Sequence, residues 1–142
     1  MTRFALPLAL LLFVAACATT PPPPSNAPAI MPQTALDLGG DWRRSSIASV
    51  ARRFSEEVAQ RYRAGATIPA SVDDLARNQF RCAANTDMRG DPPAQVCAKT
   101  ETVANCTHTW RVMLYAQAGA TVERARGLYD RRCGGEGLLG GP

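Results

Sequence analysis

Residues 106–133 constrain the fold more than any other stretch of this chain. Trp110, Val112, Leu114 and Ala116 alternate with Arg111, Met113, Tyr115 and Gln117. Period-two alternation is the pattern of a strand with one buried face. Gly119-Ala120 suits a two-residue turn of type II′, which takes glycine first. That turn sets a register: Ala118 opposite Thr121, Leu114 opposite Ala125, Val112 opposite Gly127 and Trp110 opposite Tyr129. The same ladder brings Cys106 opposite Cys133. An unforced register that pairs two aromatics and two cysteines predicts a hairpin over Thr107–Asp130, locked by Cys106–Cys133. Gly127 would leave space beside Trp110. Arg111, Arg124 and Arg126 fall on the solvent side, read as a solubilising sheet face in preference to an anion site.

Whether such cysteines oxidise depends on the compartment, and the N-terminus bears on that. Arg3 precedes an apolar run from Phe4 to Val14, closed by the small Ala15 and Ala16 and then Cys17. A positive start, an apolar stretch of about 7–15 residues and a small-residue cleavage site make a secretory leader. A spanning helix needs about 20 apolar residues, and this run is shorter. Val14-Ala15-Ala16-Cys17 resembles the lipobox of the bacterial lipoproteins, with valine where leucine is commoner. The resemblance implies a signal peptide over residues 1–16, diacylglycerol on the Cys17 thioether and acylation of the new amine. Each buried methylene contributes about 0.8 kcal/mol, so two or three chains hold firmly. Ala18 stands where, in that family, aspartate marks retention in the inner membrane. The resemblance therefore implies an outer-membrane anchor facing the periplasm. Residues 17–36 carry the lipidated cysteine and a Pro-rich tether with four consecutive prolines and no charge. Extended polyproline II, at roughly 3.1 Å per residue, would hold the domain up to about 60 Å from the lipid. The tether is read as a passive spacer.

With Cys17 acylated, Cys82, Cys97, Cys106 and Cys133 remain. An even number in an exported chain reads as a disulfide framework, and four cysteines allow three connectivities. Cys82–Cys97, stapling the strands around residues 85–94, is preferred alongside Cys106–Cys133. No C-x-x-C pair is present and His108 is the only histidine, so neither metal nor cofactor is expected. Losing Arg3 lowers the formal charge from +4 to +3, too little to argue for nucleic acid. Asn105-Cys106-Thr107 has the form of a glycosylation acceptor and is read as chance.

Upstream, Ile47, Val50, Phe54, Val58 and Tyr62 recur at spacings of three and four, the stripe of an amphipathic helix. It is expected over Ser46–Ala64, with Ser45 or Ser46 as cap and Gly65 as stop. Thr67-Ile68-Pro69 reads as a turn. A second, shorter helix is expected over Val72–Gln79, capped at Ser71, with Asp73 and Asp74 favouring its N-terminus. Adjacent helix residues point about 100° apart, so these carboxylates do not converge as a catalytic pair. Strands are expected at Phe80–Ala84 and Gln95–Thr102, and Trp42 at the domain edge. The fold class is α+β: two N-terminal helices, one long and one short, packed on one face of a small antiparallel sheet of about four strands. Two disulfides staple the domain, residues 37–133, and a Gly-rich tail, 134–142, frays.

The lipobox at Cys17, the tether, the helix-helix start and a hairpin ending Gly127-Leu128-Tyr129 before Cys133 resemble an outer-membrane assembly family. This is the BamE (SmpA/OmlA) family, with the related β-lactamase-inhibitor-protein domains. The resemblance spans about residues 44–133, and the extra cysteines depart from its pattern. It implies a non-catalytic binding or scaffold module with an envelope protein partner. An enzyme is not expected, because His108 stands alone and no serine has a nucleophile context. No small-molecule substrate is inferred. Alternatives are an inhibitor of a periplasmic enzyme, acting through residues 85–94, and a lipoprotein subunit of a secretion apparatus.

Overall fold

A computed structural model describes residues 33–87, 89–116 and 120–134. Cys17, the tether up to residue 32, the first half of the Gly119-Ala120 turn and the tail from residue 135 lie outside the described residues. Within them the chain forms α1 (Ile47–Arg61), α2 (Ile68–Arg77), β1 (Arg81–Ala84), β2 (Gln95–Val103), β3 (Cys106–Ala116) and β4 (Val122–Cys133). The strands make one antiparallel meander in the order β1-β2-β3-β4. Two bridges join directly opposed residues, Cys82–Cys97 across β1 and β2, and Cys106–Cys133 across β3 and β4.

The β3–β4 ladder holds Trp110 opposite Tyr129, Val112 opposite Gly127 and Leu114 opposite Ala125. Past Tyr115–Arg124 it departs from the expected register, and Ala116 pairs with Val122. A one-residue bulge reverses which side a strand presents. Without it Val122 would face outward with Arg124 and Arg126; with it Val122 is buried in the core. An unusual turn joins β2 to β3. Ala104 adopts φ +53°, and Asn105 ties the turn to Gly134 through both its side chain and its carbonyl.

Ser46 caps α1, its Oγ accepting from the Ser49 N–H at 3.2 Å. Val50, Phe54, Val58 and Tyr62 are fully buried, whereas Ile47 at the helix start is exposed. The helix ends at Arg61, a turn before the expected Ala64.

The expected start of the second helix is corrected. Its cap is Thr67, whose Oγ1 accepts from Ala70 N–H, and Pro69 sits in the first turn. Proline has no N–H and its φ suits a helix start, so Thr-Ile-Pro opens the helix instead of forming a separate turn. Ser71 therefore lies inside α2, where its hydroxyl donates to the Thr67 carbonyl.

The expectation that both helices lie together on one sheet face is also overturned. α1 follows β4, while α2 starts beside the head of β4 and its main sheet contact is with β1, the opposite edge. The irregular segment before α1 covers much of the remaining face. Leu36 and Trp42 are buried, and the Trp110 indole N–H donates to the Leu38 carbonyl at 3.0 Å. Trp42, expected at the domain edge, instead sits edge-on to Trp110 with ring centroids 4.9 Å apart. Gly39 permits this wrap: its φ is +102°, and a Cβ there would lie 2.7 Å from Val50 Cγ1.

Gly127 serves α1 and not Trp110, contrary to expectation. A Cβ at Gly127 would lie 3.0 Å from Val58 Cγ2 and 3.1 Å from both Phe54 Cδ1 and the Phe54 carbonyl oxygen. The backbone oxygen cannot move without the helix. Overpacking of this kind costs roughly 1–3 kcal/mol. Gly127→Ala is expected to lower the urea midpoint accordingly with the slope unchanged, whereas Gly134→Ala, with only ordinary contacts, leaves it in place.

Candidate functional site

Two buried polar clusters form first, and each is spent on structure. α1 and α2 meet through Arg61 and Asp74. The guanidinium donates from Nε to Asp74 Oδ2 at 2.7 Å and from an Nη to Oδ1 at 3.0 Å. The Tyr62 hydroxyl donates to Oδ2 at 2.8 Å, and Arg77 adds a bond at 3.1 Å. Arg61 also donates to the Thr34 carbonyl at 2.6 Å, tying down the entering chain. Burial pushes the Asp74 carboxyl upward, but the bonds from Arg61, Tyr62 and Arg77 outweigh it, and the net direction is down. The bond to Asp74 raises Arg61 despite burial, and burial raises the Tyr62 hydroxyl. Asp73 and Asp74 are thus separated in role. Asp74 is an ion-pair hub and not a cap, while Asp73 is exposed.

The second cluster lies beside the Cys106–Cys133 bridge. His108 Nδ1 is 2.7 Å from the Tyr129 hydroxyl, and the Trp42 ring meets the imidazole edge-on at 4.6 Å. Burial and the nearby Arg131 lower the His108 pKa, with Glu101 opposing. The imidazole is then neutral, and the tautomer protonated on Nε2 lets Tyr129 donate to Nδ1. A histidine whose folded pKa lies below its unfolded value gives full stability above the unfolded value. Stability falls as pH drops through about 6.5, because the unfolded chain takes up the proton first. Urea midpoints should therefore fall between pH 8 and pH 5, and His108→Gln should remove that share of the fall.

The solvent-facing chemistry gathers on the sheet face opposite α1. Strand pairing aligns Ala83, Val96, Met113 and Arg126 in one row, and Arg81, Ala98, Arg111 and Leu128 in the next. Thr100, Thr109 and Asp130 form a third. Leu128 is 42% exposed, with exposed Arg111 opposite it on β3 and exposed Arg126 two residues before it, while Arg81 is exposed at the far end of the same row, on β1. None of these three arginines makes an ion pair among the described residues. Thr109, Arg111, Leu128, Asp130 and Arg132 line a shallow hollow of about 330 Å³ on this face. At one end Asp91, from the connection between β1 and β2, reaches this face: Arg124 pairs with Asp91 and lies 3.4 Å over the Tyr115 ring, which is buried. The face therefore offers unpaired guanidinium groups around a small apolar strip, a combination suited to a surface bearing carboxylates and some exposed hydrocarbon.

Strand parity put Arg111, Arg124 and Arg126 on a common side. Arg81 was missed, because a four-residue strand carries no usable period. The cysteines Cys82, Cys97, Cys106 and Cys133 are all bridged on the α1 side of the sheet, away from this face. Comparison of the chain with protein-family models, with curated proteins and with solved structures finds no match.

Proposed function

We propose that this chain is a non-catalytic binding or scaffold module of the cell envelope, held at the outer membrane by lipid on Cys17 and supporting an assembly complex there. The observation that carries the binding role is the sheet face opposite α1, which presents Arg81, Arg111, Arg126 and the exposed Leu128, the three arginines without ion-pair partners among the described residues. Membrane attachment and family kinship rest on the lipobox, the Pro-rich tether and the helix-helix-sheet order. Among the described residues no helix is long and apolar enough to cross a membrane.

The test is cross-linking in intact cells, recovery through the C-terminus, and comparison of the native chain with Arg81→Glu/Arg111→Glu. An outer-membrane protein should be recovered with the native chain and drop about tenfold with the charge-reversed one, the size expected when interfacial ion pairs turn repulsive. Recovery of the monomer alone would remove the binding role. An unmodified sulfhydryl on Cys17 in the mass spectrum would remove the anchor.

A further inference from the structure

The free edge of β4 offers more than a boundary. We propose that it is a strand-addition site for an extended acidic segment of a partner protein. β4 is twelve residues long and, beyond Val122, pairs among the described residues with β3 on one side only. Past Val122, no backbone hydrogen bond from the described residues outside the sheet reaches its other side. A long edge strand with open N–H and C=O groups is a template for another strand, and strand addition is a recurring mode of peptide recognition.

The chain itself occupies the first rung. Gly65 N–H donates to the Val122 carbonyl at 3.0 Å, Val122 N–H to the Ala66 carbonyl at 2.7 Å, and Ile68 N–H to the Ala120 carbonyl at 2.7 Å. Thr67 and Thr121 form an antiparallel bridge. Residues 65–68 are thus the seed of a fifth strand, which stops where Thr67 caps α2. An antiparallel guest would continue in line with that seed, its C-terminal end meeting Gly65. A Cβ at Gly65 meets nothing within 4 Å, so no side chain crowds that end of the seed.

The side chains choose the guest. β4 carries Arg124, Arg126, Arg131 and Arg132 against Glu123 and Asp130. Asp130 is already paired with Arg132, and Arg124 with Asp91. Arg126 and Arg131 make no ion pair among the described residues. Charge on an edge normally keeps other strands away. Here the surplus is of one sign, so it repels a second copy of this chain or a basic strand and favours an acidic one. The fitting guest places carboxylates beside Arg124, Arg126 and Arg132, and small apolar residues beside Ala125 and Gly127. This inference rests on the reading of the chain as a protein-binding module.

The test is amide hydrogen exchange on the full chain in detergent, with three synthetic peptides of about ten residues, a long strand's length. One alternates Glu with Val. The second has Lys for Glu. The third is the acidic peptide N-methylated at alternate residues along one edge. The acidic peptide should protect residues 123–133, with affinity about tenfold above the other two, as expected when interfacial charge or backbone pairing is removed. The exposed pair Arg126→Glu/Arg132→Glu should reverse the preference toward the Lys peptide. Equal binding of the N-methylated peptide, no protection of β4 by any peptide, or concentration-dependent protection of β4 without peptide would each overturn the inference. Partner recovery that still depends on Arg81 and Arg111 would then leave the binding role standing and the edge site disproved. Peptide docking without any partner recovery in cells would do the opposite.

Discussion

Asp74→Ala should be the most damaging single substitution in the α1–α2 contact, costing about 3–5 kcal/mol, the range for breaking one side of a buried ion pair. Asp74 is 1% exposed and accepts from Arg61, Tyr62 and Arg77. Removing it leaves the buried Arg61 guanidinium without its main counter-charge and the Tyr62 hydroxyl without its acceptor. Urea unfolding followed by circular dichroism measures the loss. Replacing both partners by apolar residues of similar volume, Arg61→Met with Asp74→Leu, should recover most of it, because no isolated charge is then buried. A double variant as unstable as Asp74→Ala would mean that the pair's shape, and not its charge, holds the helices. The pH dependence follows from the lowered Asp74 carboxyl. Its contribution is complete above the ordinary carboxylate value of about 3.9 and disappears as pH falls through the folded-state value below it.

Cys106→Ser with Cys133→Ser should cost about 3–4 kcal/mol by the chain-entropy model. The bridge closes a separation of 27 residues. Opening Cys82–Cys97, with a separation of 15, should cost about 3 kcal/mol on the same basis. The two losses should read differently. Cys97 is wholly buried against the core, so its replacement also disturbs packing, whereas Cys106 and Cys133 are partly exposed. Thermal unfolding with and without reductant, compared across the two pairs, separates loop closure from packing. If reduction leaves the midpoint unchanged, the bridges do not contribute to stability.

Most of the β3–β4 ladder was legible because period-two alternation and a cysteine pair in register agreed; the expected Gly119-Ala120 turn lies partly outside the described residues, and the ladder shifts by one residue before it. The core stripe of α1 was legible for a similar reason, since residues at helical spacing admit one face, and four of the five, all but Ile47, are buried on it. What escaped depends on tertiary contacts that leave no local period. Trp42 reads as an isolated aromatic until the Gly39 turn carries it onto Trp110. Asp74 reads as a first-turn acid until Thr67 moves the helix start back and carries it to Arg61. The bulge at Glu123 lies next to the rungs that residues 65–68, far away in sequence, make with residues 120–122. As for the candidate site, parity placed Arg111, Arg124 and Arg126 on one side. The open edge of β4 depends on strand order, which no single stretch encodes.

Each strand of the meander pairs with its neighbour in sequence, and so the bridges join Cys82 to Cys97 and Cys106 to Cys133 without interleaving. With Cys17 acylated as proposed, a chain threaded N-terminus first into an oxidising space would present Cys82 and Cys97 before Cys106 and Cys133. An oxidant that joins thiols in order of arrival then yields the native connectivity at once, with no reshuffling step and no need for an isomerase.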